Sequence, residues 1–310
     1  MERILTRTMI ALVVGFASVV YGTTVSVRPD ADSFVRSQAP TSNYGEGGAL
    51  SVSGAAAVNG SGQQNGAFDT LLRFPMSDAV ATLDAALGQD WIVTGARLVV
   101  TEMAIPDNAI FNRGVGQFEI RCIGSDSWIE GSGKPNAPTI DGVAWQDMPA
   151  ILNSNVDVSL GVFMNSGTSA QVSFSLKLAD QLIEHVRSGA EVSLYLTAIS
   201  PDIGFTFNSR NFGNTNTQPI LELYAVANPS PRIDSILWSN MNAIISFDTV
   251  SNWNYNVLGA DKLSGPWSNV FATPAQMTNG HASFLEAAPH PERYFRLKVS
   301  REISRQSFNL

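Results

Sequence analysis

The sequence predicts an all-β protein: a jelly-roll β-sandwich carrying one short helix, followed by a small immunoglobulin- or fibronectin-like β-sandwich. Three observations lead there. Residues 24 to 227 are short alternating or apolar runs separated by Gly, Asn, Ser, Pro and Asp; one segment among them has helical period; and five more runs follow a break at Asn228-Pro229-Ser230-Pro231. Many short strands with turn chemistry between them are the pattern of sandwiches and jelly rolls. Two prolines around a serine make a stiff linker, so residues 23 to 227 and 232 to 300 are read as separate domains joined by residues 228 to 231.

The first residues read as an export signal. Arg3 and Arg7 give a basic start, and an apolar run of twelve residues from Met9 to Val20 follows, relieved only by Gly15 and Ser18. That is too short to span a bilayer and suits a signal peptide of residues 1 to 22, cleaved after Gly22. The mature chain is therefore expected outside the cell or at its surface, with no membrane span. Loss of Glu2, Arg3 and Arg7 leaves 17 basic and 26 acidic side chains, a net charge of -9. Such a surface repels phosphate backbones, which excludes nucleic acid as a partner. The single Cys122 cannot form an internal disulfide, so stability must come from burial, with a metal as an added brace.

In the larger domain Thr24 to Arg28, Ala49 to Ser53, Thr70 to Phe74, Gly95 to Met103, Gly116 to Ile123, Gln171 to Ser175, Val192 to Ala198 and Ile220 to Val226 read as strands. From Gly95 onward, Ala96, Leu98 and Val100 share one face and Arg97, Val99 and Thr101 the other, so one face is buried and the other partly wet. Ala179 to Ser188 breaks the period: Leu182, Ile183 and Val186 stand at helical spacing, with Asp180 near the start, Arg187 in the last turn and Gly189 as a stop. Beyond the linker, Ala243 to Phe247, Asn254 to Leu258, Trp267 to Phe271, His281 to Leu285 and Tyr294 to Val299 supply the second sandwich. Residues 301 to 310 read as a tail.

Catalytic motifs are missing from the sequence. No serine has glycine two residues away on both sides, and His185, His281 and His290 form no helix-borne His-Glu-x-x-His. A glycosidase built on two carboxylates leaves no local motif and stays open as a lesser alternative. Asp30 and Asp32, one residue apart at a strand start, could face one side and hold a structural Ca2+ with loop carbonyls, or simply form a hydrated edge.

Several segments together resemble the DNRLRE-type module, also classed as carbohydrate-binding module family 96. The opening VSVRPDADSFVRSQAPTSNYGEGGALSVSG is similar to that family's first strands, TLLRFPMS to its strand with arginine before phenylalanine, and VTGARLVVTEM to the strand that follows. SDSWIEGSGKPNAPTIDGVAWQDMPA is the closest match, with Trp128, Glu130, Trp145 and Pro149; LADQLIEHVRSGAEVSLYL and FNSRNFGNTNTQPILELYAV resemble the short helix and the closing strand. The departures are the insertion from Ala55 to Gly66, the long stretch from Asn153 to Thr168, and Asn211 where glutamate is common.

The resemblance implies non-catalytic binding of an extracellular polysaccharide, of an acidic, alginate-like class. Tyr44, Arg73, Trp128, Glu130, Arg210 and Asn211 are the candidate contacts, because sugar recognition uses flat aromatics and an arginine fork matches a carboxylate. The competing expectation is that Arg73 and Glu130 pair structurally and that Trp128 and Trp145 fill the core. The alternative function is a structural or adhesive surface protein that assembles with its own copies or a cell envelope. The C-terminal piece, with Tyr255, Gly265-Pro266-Trp267 and ERYFRLKV, resembles small β-modules of secreted proteins, in which the tryptophan and last aromatics would be core.

Overall fold

The architecture follows from strands that bury one face and are closed by Gly, Pro and Asn turns. The computed structural model describes residues 22–103, 110–165, 167–168, 170–228, 232–239, 242–250, 253–274, 280–287 and 294–300. The expected export signal ahead of Gly22, linker residues 229–231 and the tail from Arg301 lie outside them. The chain divides into two units, Tyr21–Ala227 and Asn228–Leu310.

In the first unit the strands are β1 (Gly22–Val27), β2 (Ala31–Arg36), β3 (Ala49–Ser53), β4 (Val58–Asn59), β5 (Phe68–Pro75), β6 (Trp91–Thr101), β7 (Asn112–Arg113), β8 (Gln117–Ile123), β9 (Val158–Met164), β10 (Gln171–Leu176), β11 (Glu191–Ala198), β12 (Gly204–Asn208) and β13 (Ile220–Ala227). The helices are α1 (Ser77–Leu87), α2 (Met148–Ile151) and α3 (Asp180–Ser188). A four-stranded antiparallel sheet runs β1-β13-β6-β10, and a seven-stranded one runs β12-β3-β5-β11-β8-β9 with β2 also on β5.

Side chains from the inner faces of both sheets meet in one core. Ala96, Leu98 and Val100 of β6 are all buried there, and Phe174 of β10 stands edge-on to Phe118 of β8 with ring centroids 5.1 Å apart. The opposite face of the seven-stranded sheet is also dry. Ala31, Val35, Leu71, Ile123 and Tyr195 pack under Trp128, Val143 and Met148, which belong to the long segment between β8 and β9. Burial on both faces explains why β2 is buried along nearly its whole length, Asp32 and Ser33 included.

The expectation of one short helix is corrected to three α-helices among the described residues. α3 forms where its pattern placed it, with Leu182 and Val186 buried and Gly189 left-handed at φ 71°. α1 was not legible because it buries only Ala79 and Leu83, in an alanine-rich stretch without a capping side chain. It is tied down by Trp91, whose Nε1 donates to Asp84 Oδ1 at 2.7 Å and whose ring lies under the Arg187 guanidinium at 4.6 Å from α3.

The second unit holds β14 (Ser235–Ser239), β15 (Asn242–Thr249), β16 (Asn254–Ala260), β17 (Ser268–Thr273), β18 (Gly280–Ala287) and β19 (Tyr294–Ser300). Two three-stranded sheets, β14-β15-β18 and β17-β16-β19, pack through Phe247 against Tyr255 and Phe271 against Phe284, with ring centroids 5.7 and 4.8 Å apart. Tyr255 is core. Trp267, Tyr294 and Phe295 are not: they are half-buried, and the Arg296 guanidinium lies 5.6 Å from the Trp267 ring.

Candidate functional site

Seven of the residues singled out in the sequence come together along the β2 edge, where loops instead of a strand satisfy the backbone. The Asp32 amide donates to Glu130 Oε1 at 3.1 Å, and the Arg210 amide donates to Asp32 Oδ2 at 2.6 Å. Arg210 closes its fork on Glu130, Nε to Oε1 at 2.6 Å and Nη2 to Oε2. Asn211 Nδ2 donates to the Gly45 carbonyl at 2.9 Å and to Glu130 Oε1 at 3.4 Å. The two motifs that carried the resemblance, Trp128-x-Glu130 and Ser209-Arg210, thus clasp a sheet edge.

Arg73 occupies the neighbouring position. Its Nε lies 3.0 Å from Asp30 Oδ1 and 3.2 Å from Glu191 Oε2, and its Nη1 donates to the Asp126 and Trp128 carbonyls at 3.0 and 3.1 Å. The guanidinium sits 5.3 Å from the Trp128 ring centroid, while Trp128 Nε1 donates to Ser193 Oγ at 3.1 Å. The expected Arg73–Glu130 pair is therefore not formed: Arg73 pairs with Asp30 and Glu191, and Glu130 with Arg210.

Two aromatic candidates are corrected. Tyr44 is 4% exposed and stacks on Phe34 at 4.5 Å and 9°, inside the inter-sheet core, so its face cannot meet a sugar. Trp128, also 4% exposed, fills the outer core. Trp145 is half-buried and packs against that same cluster.

The Asp30 and Asp32 carboxylates are turned to different partners, Arg73 and the Arg210 amide. Asp32 is fully buried, and its Oδ1 has no partner among the described residues. Burial pushes its carboxyl up to about 8; the Arg210 amide opposes the shift and the Glu130 charge adds to it. Among the described residues, the set of three side chains with ligand atoms close enough to share a metal is instead Asp234, Asp248 and His281 in the second unit, all exposed. Asp248 and His281 face each other across β15 and β18, with Nδ1 2.9 Å from Oδ1. Strand register brings Asp248 opposite His281, and Asp234 joins them from the residue before β14, a set that sequence spacing does not reveal.

The segment that covers the outer core also forms an open groove of about 380 Å³, lined by Trp128, Ile129, Ile140, Asp141, Val143 and Asp147 among others. Asn43 holds its two sides together: Nδ2 donates to the Glu130 and Val143 carbonyls at 2.6 and 2.9 Å, and Oδ1 accepts from the Gly45 and Gly133 amides. Gly131 is required here, since its φ of 79° and the Asn43 Oδ1 2.3 Å from any added Cβ leave no room for a side chain. Asp141 accepts from the Ser132 amide at 3.0 Å, Ser132 Oγ at 2.7 Å and Thr139 Oγ1 at 2.5 Å, which hold its carboxyl down at about 2. Asp147 Oδ2 accepts from the Ala144 amide at 2.9 Å. Ile129 and Ile140 are 67% and 87% exposed. None of the groove's residues except Trp128 was singled out as a contact, because it is built by loop closure.

No family model matches the chain, and a search of curated proteins finds no match. No helix among the described residues is long and apolar enough to cross a membrane.

Proposed function

We propose that this chain is a non-catalytic module of an exported protein and binds an extracellular polysaccharide in the groove over its seven-stranded sheet. The observation that carries this reading is the groove itself. It is open, braced by Asn43, and rimmed by two exposed isoleucines beside fixed carboxylates and backbone polar groups. An extended, hydrated chain needs such a surface: apolar contact for the C–H faces of sugar rings, and acceptors for their hydroxyls. The resemblance to the DNRLRE-type module supports the ligand class. Most of its candidate contacts do not carry the site: Glu130, Arg210 and Asn211 hold one another in the β2 clasp, Arg73 is held by Asp30 and Glu191, Tyr44 lies in the core, and Trp128 alone lines the groove.

A panel of immobilised polysaccharides probed with residues 23–310 tests this. At least one should retain the protein, and Ile140→Ala, which removes apolar contact without adding charge, should weaken retention about ten-fold without lowering the melting temperature, because Ile140 is 87% exposed. Retention by none would favour the structural or adhesive reading. That second reading has one observation of its own: Val162 and Met164, on the sheet-edge strand β9, are 52% and 61% exposed, and charge-free edge strands invite pairing between copies.

A further inference from the structure

We infer that the groove selects a polysaccharide bearing free amines and rejects polyuronates, a specificity that rests on the polysaccharide reading above. Among the described residues the groove's lining includes two carboxylates, Asp141 and Asp147, and no Lys, Arg or His. Asp141 stays ionised over the whole working pH range, because the Ser132 and Thr139 donors stabilise its charged form.

A uronate would bring its own carboxylate against these two with no cation to receive it. The cations on the adjoining segments are paired, Lys134 of the same loop lying 3.6 Å from Glu46. Arg210 has its fork closed on Glu130, and Arg73 is held by Asp30, Glu191 and two backbone carbonyls. An ammonium group on a pyranose ring instead gains a charge-assisted bond to Asp141 or Asp147, while Ile129 and Ile140 supply apolar contact to the ring. The acidity of the whole chain, with a net charge of -8, works in the same direction by drawing a polycation toward the surface.

The test measures binding of residues 23–310 to partly deacetylated chitin, fully acetylated chitin, cellulose and alginate at two salt concentrations. Two variants accompany it: Asp141→Asn/Asp147→Asn, and a charge-matched control on the helices, Asp78→Asn/Glu184→Gln. The amine-bearing polymer should bind most tightly, with weaker binding at higher salt. The groove double variant should lose about ten-fold or more, and the control should lose little. Equal binding of neutral glycans, undiminished in the groove variant, would overturn the amine specificity and keep the polysaccharide reading; preference for alginate would do the same. Equal losses in both double variants, or equally tight capture of polylysine, would reduce the effect to net charge and overturn it. Binding to no glycan would overturn both.

Discussion

Arg210→Ala should lower the free energy of unfolding of the first unit by about 2–3 kcal/mol, the range for losing hydrogen bonds to a charged group and leaving its partner in place. The Glu130 side chain is 15% exposed, so the substitution strands a carboxylate that water reaches poorly. It also frees Glu130 Oε1, which receives the Asp32 amide, and so loosens the β2 edge. Arg210→Lys should recover only part of the loss, since a single ammonium cannot reproduce the bidentate fork. Urea unfolding of both variants, with glycan affinity measured on the same folded protein, checks this. Undiminished stability together with lost affinity would return Arg210 to the role of ligand contact.

A second large effect is expected from Asp32, through pH. Its carboxyl is raised from 3.8 to about 8, so between those values the folded chain holds a proton that the unfolded chain has released. Stability from this group is therefore greatest at low pH and declines as pH climbs from 3.8 toward 8. Asp69, which burial raises to about 6 against the opposing bond from Tyr195, adds a decline of the same sign between 3.8 and 6. Asp141 acts in the other direction: its contribution is complete above 3.8 and is lost as pH falls toward 2. The stability maximum should accordingly lie on the acidic side of neutrality. Asp32→Asn keeps an oxygen for the Arg210 amide and removes the titration. It should flatten the decline above pH 6 and raise the melting temperature at pH 8 by several degrees, since about 1 kcal/mol corresponds to roughly 2–4 °C in a domain of this size. An unchanged pH profile in that variant would show that Asp32 is not the titrating group.

Alternating strands such as β6 were legible in the sequence, and so were β3, β5 and β11, which are buried on both faces along most of their length; β2 and β12 were not. β6 announces its core face through Ala96, Leu98 and Val100. β12 is buried throughout and β2 nearly so, and Asp32, Ser33 and Thr206 look like loop residues until Glu130, Ser51 and their neighbours satisfy them. For the same reason the candidate site was half legible. Its members were found, because Trp128-x-Glu130 and Ser209-Arg210 are distinctive, but a fork that fits a sugar carboxylate fits Glu130 equally well. Which of the two it meets depends on loops separated by 80 residues between Glu130 and Arg210. The groove left no sequence signal because Asn43, Gly131, Ile140 and Asp141 acquire their roles only when two loops close on each other.

Hydrogen–deuterium exchange of residues 23–310, with and without saturating partly deacetylated chitin, locates the ligand most directly. Binding in the groove should slow exchange across residues 127–151 and leave residues 209–212, already held in the clasp, unchanged. Protection centred on residues 30–32 and 209–212, or none in the groove segment while the polymer is bound, would contradict a ligand site built over the outer face of the seven-stranded sheet.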